Sequence, residues 1–247
     1  MKVQNRTCVR RLSLRALAAS RTRNLVAVLA IALTAVLFTS LFTIALSINE
    51  GFQQATFRQV GGYAHGGFKY ITEEQAELFA SDPLVKAHGL RRFLGMVEGD
   101  AFTKDHVEVS WADENEADWM FLAPTTGRLP AEGTDEAAAD TRVLELLGVE
   151  PELGAQFTLP INVDGKLTEE TFTLCGWWEK DEATFASHVL LPESRVNAIL
   201  EELDVTPPGA DGMTGCWNMD VMFSSSLNIE KNLSLIHISE PTRRVVI

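Results

Sequence analysis

From Leu25 to Ile48 the chain runs for 24 residues without a charge, a proline or a glycine. At a helical rise of about 1.5 Å per residue such a run is about 36 Å long, enough to cross a hydrocarbon core of about 30 Å with some tilt. It predicts a transmembrane helix over 24–48. The hydroxyls inside it (Thr34, Thr39, Ser40, Thr43 and Ser47) can bond back to carbonyls one turn earlier, so they do not argue against insertion. Thr39, Thr43 and Ser47 recur every four residues, with Ala32 and Ala35 nearby. That spacing gives a small-residue face on which membrane helices pack, the alternative being a face turned to lipid.

The charges flanking this run set the expected topology. Lys2, Arg6, Arg10, Arg11, Arg15, Arg21 and Arg23 precede it and no acid does. The positive-inside rule therefore keeps 1–23 in the cytoplasm, as a basic amphipathic segment along the inner membrane surface, and puts the remainder outside. All 34 acidic residues follow the helix, against the 14 basic residues left of the 21, a downstream formal charge of −20. That excess disfavours nucleic acid as a partner and suits a soluble domain beside an anionic bilayer. A cleaved signal peptide is the rival reading, with Ala45-Leu46-Ser47 as its only candidate cleavage site. Its apolar region would run for about 7 to 15 residues, shorter than the run observed.

The rest is large enough for one domain with its own core. Asn49 to Val60 keeps a helical pattern and then meets Gly61-Gly62 and Gly66-Gly67, so 49–70 is expected to be a stalk with a glycine hinge. An α+β extracytoplasmic domain is expected over 71–231. Thr72-Glu73-Glu74-Gln75 forms a capping box for a helix ending at Asp82-Pro83. Strands are predicted within Leu84–Glu98, His106–Trp111, His188–Leu191 and Asn218–Phe223. Asp140 can cap a short helix that Gly148 ends, and Pro192 opens another. The clearest local signal is a hairpin: Phe157, Leu159, Ile161 and Val163 alternate, Asp164-Gly165 supplies the turn, and Phe172 and Leu174 alternate on the return. Helices and strands mix without regular βαβ spacing, which favours α+β.

Catalytic and cofactor motifs are missing. The only Gly-Lys, at Gly165-Lys166, sits in the hairpin turn and is followed by Leu167, so there is no phosphate-binding loop and no cofactor is expected. The five histidines are too dispersed for a local metal motif, and no catalytic residue is assigned. Asp113-Glu114-Asn115-Glu116-Ala117-Asp118 lacks the glycine and closing glutamate of a calcium loop and is expected to be a solvated charged turn. Cys175 and Cys216 would share the outer compartment, where pairing and two separate buried thiols are both open. Most of Trp111, Trp119, Trp177, Trp178 and Trp217 are expected in the core.

The basic start, the Arg-Asn before the apolar run, Gln59 to Tyr70, and Pro124-Thr125-Thr126-Gly127-Arg128-Leu129-Pro130 together resemble the FtsX-like permeases of ABC transporters from Gram-positive bacteria. Glu136 to Thr141, Leu146-Leu147-Gly148-Val149 and Leu153-Gly154 extend the resemblance, which covers about residues 10 to 231. It implies a MacB-like architecture, in which a large outer domain is inserted between the first two of four membrane helices. The implied partners are an ABC-type ATPase subunit on a separate chain, a second permease copy or paralogue, and the lipid bilayer. Family members are thought to convert ATP-driven movement of the membrane helices into movement of the outer domain. The chain departs from the family after about residue 231. Ser234 to Arg244 resembles a translated sequencing-adapter read-through, so 232–247 is expected to be a non-native tail that packs poorly. The expected function is that of a permease subunit in the cell membrane, for export or remodelling of a substrate. The alternative is a single-span, membrane-anchored binding module.

Overall fold

A computed structural model describes residues 6–238. The chain forms two compact units, divided between Gln54 and Ala55. The first holds α1 (Arg6–Ala19) and most of α2 (Arg21–Val60), a single helix of 40 residues whose most apolar window has a mean hydropathy of 2.6 and is wholly unburied. The helix thus continues without a break past the apolar run, through residues expected to form the stalk. Inside it Thr34 donates to the Ala30 carbonyl at 2.8 Å, and Thr39 donates to the carbonyls of Ala35 and Val36. These bonds satisfy the hydroxyls within the helix itself.

The second unit is built on nine strands, β1 (Gly66–Ile71), β2 (Val85–Val97), β3 (Val107–Ala112), β4 (Thr126–Gly127), β5 (Glu136–Asp140), β6 (Gln156–Val163), β7 (Lys166–Trp178), β8 (Ser187–Leu190) and β9 (Trp217–Phe223). Their order is β1-β9-β2-β3-β8-β5-β7-β4, and β6 pairs with both β7 and β2. The hydrogen-bonded path therefore returns to β2 after passing β3, β8, β5, β7 and β6. Two pairings are parallel, β3 with β8 and β5 with β7, and the others are antiparallel. Five further helices complete the unit: α3 (Glu73–Ala80), α4 (Glu114–Trp119), α5 (Thr141–Leu147), α6 (Glu193–Glu202) and α7 (Ile229–Ile238). This is the expected α+β class.

Local chemistry explains the element ends. The capping box at α3 is complete: Gln75 donates its N–H to Thr72 Oγ1 at 3.3 Å, and the Thr72 N–H donates to Gln75 Oε1 at 3.0 Å. Asp164 and Gly165 both have positive φ, 53° and 82°, as a two-residue turn between right-twisted strands requires. α6 begins at Pro192, which offers no side-chain cap. Glu132 replaces one from a distant loop, accepting from the N–H groups of Glu193 and Ser194.

The main core fills one face of these strands. Leu94, Val109, Leu159, Ile161, Phe172, Leu174 and Val189 pack there against Val143 and Leu144 of α5 and Val196, Ile199 and Leu200 of α6. A second cluster joins Phe68 of β1, Phe79 of α3 and Met219, Val221 and Phe223 of β9. Trp119, Trp178 and Trp217 are buried, while Trp111 and Trp177 are partly buried against the main core. Cys175 and Cys216 are separate free thiols.

Three expectations need correction. The acidic stretch expected to be a solvated turn is α4, and its Glu116 is only 1% exposed. Gly66 and Gly67, expected within a flexible joint, lie in β1 opposite Val221 and Asp220. The chain past residue 231 does pack where it is described: Ile236 is 1% exposed in the second cluster, with Leu233 and Ile229 beside it. Their spacing makes an apolar helical stripe, and such a stripe adheres to an apolar sheet edge. Residues 239–247 of the expected tail lie outside the described residues.

Candidate functional site

The opposite face of β9, β2, β3 and β8 carries charge. Alternation along β9 sends Met219 and Val221 to the second cluster, and it leaves Asn218 and Asp220 on the other side. Arg91 of β2 is 7% exposed, and its Nη1 donates to Glu108 Oε2 of β3 at 2.5 Å. Glu108 stands opposite His188 of β8, which is buried. Burial opposes the Glu108 charge, but Arg91 outweighs it and holds the carboxyl below its ordinary value. His188 has no such compensation. Burial drives its pKa down to about 4 despite Glu108, so the ring is neutral at pH 7.

α4 lies across this layer because Asp113 fixes both ends of the approach. Its carboxylate caps the helix by accepting from the Glu116 N–H at 2.7 Å, and it also accepts from Leu90 N–H on β2 at 3.0 Å. Gly89 makes the approach sterically possible. A Cβ there would stand 2.7 Å from both the backbone nitrogen and Oε2 of Glu116, closer than real contacts allow. Glu116 is thereby pressed into the layer. Burial first, and then the facing Asp220, push its carboxyl well above the ordinary range, and burial also raises Asp220.

The end of α2 is fastened to the same face. Gly61 takes φ 93°, and the N–H groups of Gly61 and Gly62 both donate to the Phe57 carbonyl, a Schellman-type stop. Arg58 pairs with Asp181, and its guanidinium lies 5.0 Å from the centre of the Phe121 ring. The Tyr63 hydroxyl donates to Asp118 of α4, and its N–H donates to the Trp119 carbonyl at 3.2 Å. His65 then enters the sheet, donating from its N–H to Val221 and accepting from Phe223 N–H at Nδ1.

Two cavities open on the layer. One of about 930 Å³ is lined by Gly61, Gly62, Gly66, Gly67, Arg91, Glu116, Met120 and Asp220, among others, and one of about 260 Å³ by Arg58, Arg91, Glu108, Asp181 and His188. The four expected hinge glycines therefore converge on one cavity wall, Gly61 and Gly62 at the end of α2 and Gly66 and Gly67 in β1. The expected packing face, Thr39, Thr43 and Ser47, is exposed along α2. Arg10, Arg11 and Arg15 on α1 and Arg21 and Arg23 at the start of α2 are exposed as well. No local pattern marks Arg91, Glu108, Glu116 and Asp220 as a unit. An isolated glycine in a strand pattern, Gly89 beside Arg91, was the available signal for close backbone approach.

Among the described residues no group of three or more histidine, cysteine, aspartate or glutamate side chains could hold a metal ion. No protein-family model matches the sequence. No curated protein matches it either. Solved structures do resemble the fold. The extracellular domain of the ABC-type transporter YknZ from Gram-positive bacteria is similar at 15% identity and a TM-score of 0.46, over 72% of this chain and 89% of that one. The periplasmic region of MacB from Actinobacillus actinomycetemcomitans is similar at 14% identity and a TM-score of 0.43, over 70% and 75%.

Proposed function

We propose that the chain belongs to an ABC-transporter permease subunit, with its α+β domain outside the cell membrane and its basic start in the cytoplasm. In this reading a separate ATPase chain drives the membrane helices, and a second permease copy or paralogue completes the assembly. The observation that carries the proposal is the construction of α2. One uninterrupted helix contains both the apolar run and the residues, Arg58 onward, that are clamped to the outer domain. A flexible tether needs no such clamp. A lever does, because displacement of one end must reach the other before the joint absorbs it. The resemblance of residues 10 to 231 to the FtsX-like permeases supplies the transporter context.

The test begins at the source locus. An adjacent gene for an ATPase with a phosphate-binding loop, and co-purification of that ATPase with the full-length parent, are the expected results. If no such gene is present and the parent crosses the membrane only once, the anchored binding module replaces the permease.

A further inference from the structure

Asp220 is flanked by glycine on both neighbouring strands, Gly67 of β1 and Gly89 of β2. Glycine in a strand interior weakens the sheet, so two on one row call for a reason. Each makes room for a carboxylate: a Cβ at Gly67 would collide with the Asp220 carboxylate and one at Gly89 with that of Glu116. Both carboxylates line the cavity of about 930 Å³, whose other walls include Val60, Ala64, Met120, Ile229 and Leu233. Glu116 Oε2 is buried there without a hydrogen-bond partner, and so is Arg91 Nε. A buried carboxylate oxygen left unpaired is costly, and a ligand that donates to it recovers that cost.

We propose that this cavity binds the ammonium group of an organic amine, with the N–H donors on Glu116 and Asp220 and the apolar body against Val60, Met120 and Ile229. Charge decides the sign of the ligand. The charged and titratable groups around the pair are Lys69 of β1, Arg91 of β2 and Asp113 at the α4 cap, with His65 and Glu230 of α7 lining the same cavity, and Arg91 is already engaged by Glu108. An anion would meet two carboxylates. A metal ion lacks a third ligand. The apolar walls select an organic body over a small hydrated cation. Burial, with Asp220 adding to it at Glu116, pushes both carboxyls up, so an incoming ammonium, which favours their ionised forms, is expected to release a proton on binding and to bind more strongly as pH rises. The inference stands whether or not the chain is a permease.

The test uses the whole chain in detergent and three water-soluble probes of one shape: cyclohexylammonium, cyclohexanol and cyclohexanecarboxylate, titrated calorimetrically. The ammonium is expected to bind saturably, about tenfold or more tighter than either analogue. Glu116→Gln and Asp220→Asn are each expected to weaken it about tenfold, and two buffers of different ionisation heat should reveal proton release in the unaltered chain. Equal binding of cyclohexanol, unchanged binding in a folded Glu116→Gln or Asp220→Asn chain, or no proton release would overturn the proposal. Should neither variant fold, the probe comparison and the proton count on the unaltered chain decide it.

Discussion

Replacing Arg91 by Met tests whether the charged layer is a mutually compensated unit. The methionine keeps much of the side-chain volume and removes the cation. Breaking a buried ion pair by deleting one partner costs about 3–5 kcal/mol, because the other charge stays buried and alone. Here the Arg91 side chain is 9% exposed but that of Glu108 is 27% exposed, so water relieves part of the penalty and the lower end applies, about 3 kcal/mol. For a domain of this size that is roughly 6–12 °C in Tm. The loss should depend on pH in a set direction. Without Arg91 all three carboxyls lose a favourable cation: Glu108 loses the main cause that holds it below its ordinary value, and Glu116 and Asp220 rise further above theirs. A carboxyl with a raised folded pKa destabilises the fold when ionised and stops doing so as pH falls through that pKa. The difference between Arg91→Met and the unaltered chain should therefore be largest near pH 8 and shrink towards about pH 5. Urea unfolding followed by tryptophan fluorescence at the two pH values measures it. A loss below about 1 kcal/mol, or one that does not change with pH, refutes the account of a compensated layer.

Asp140 is 1% exposed and accepts from three N–H groups, those of Arg142, Val143 and His188, so Asp140→Ala should lower stability by about 2–4 kcal/mol and Asp140→Asn by less. Denaturant midpoints of the two variants check the order. His188, neutral in the fold with its pKa at about 4, must remain uncharged while the unfolded ring protonates near pH 6.5, so its contribution is present above that pH and lost as pH falls towards 4. By about pH 5 the loss should approach about 2 kcal/mol, and His188→Phe should flatten that part of the stability profile. Because Cys175 and Cys216 are separate thiols, dithiothreitol should leave Tm unchanged in a thermal melt; a shift of several degrees would show a bridge between them.

Features carried by neighbouring residues were legible in the sequence. The apolar run, the capping box at Thr72, the cap at Asp140, the αL stop at Gly148 and the Asp164-Gly165 hairpin each depend on groups within a few residues of one another. What escaped depends on distant partners. Glu116 looks solvated among four polar neighbours, and only Gly89 and Arg91, more than twenty residues earlier, make its burial possible. Gly66-Gly67 looks like a joint because glycine usually weakens a strand, and here the space is required by Leu233 and Asp220 on other elements. The charged layer as a whole could not be inferred, since Arg91, Glu108, Glu116, His188 and Asp220 come from five elements brought together only by the sheet order.

The loop that holds Asp181 preorganises the clamp on the end of α2. Lys180 points back into its own loop, donating to the Thr184 hydroxyl at 2.6 Å, the Thr184 carbonyl at 3.1 Å and the Ala186 carbonyl, while its backbone N–H donates to Thr141 at 3.0 Å. Burial lowers the Lys180 pKa, and Asp140, Asp181 and Asp105 keep the amine charged against it. Asp181 Oδ1 accepts from Ala183 N–H at 2.9 Å, so its carboxylate is already oriented when Oδ2 meets Arg58. An exposed ion pair between mobile side chains contributes little, because both must be immobilised to form it. One whose acceptor is held by its own loop, and whose cation also rests on Phe121, loses less freedom on pairing and yields less under load. The hold on Arg58 thus depends on the loop beyond β7 as much as on α2 itself, and Lys180→Met should weaken the Arg58–Asp181 pair without altering α2.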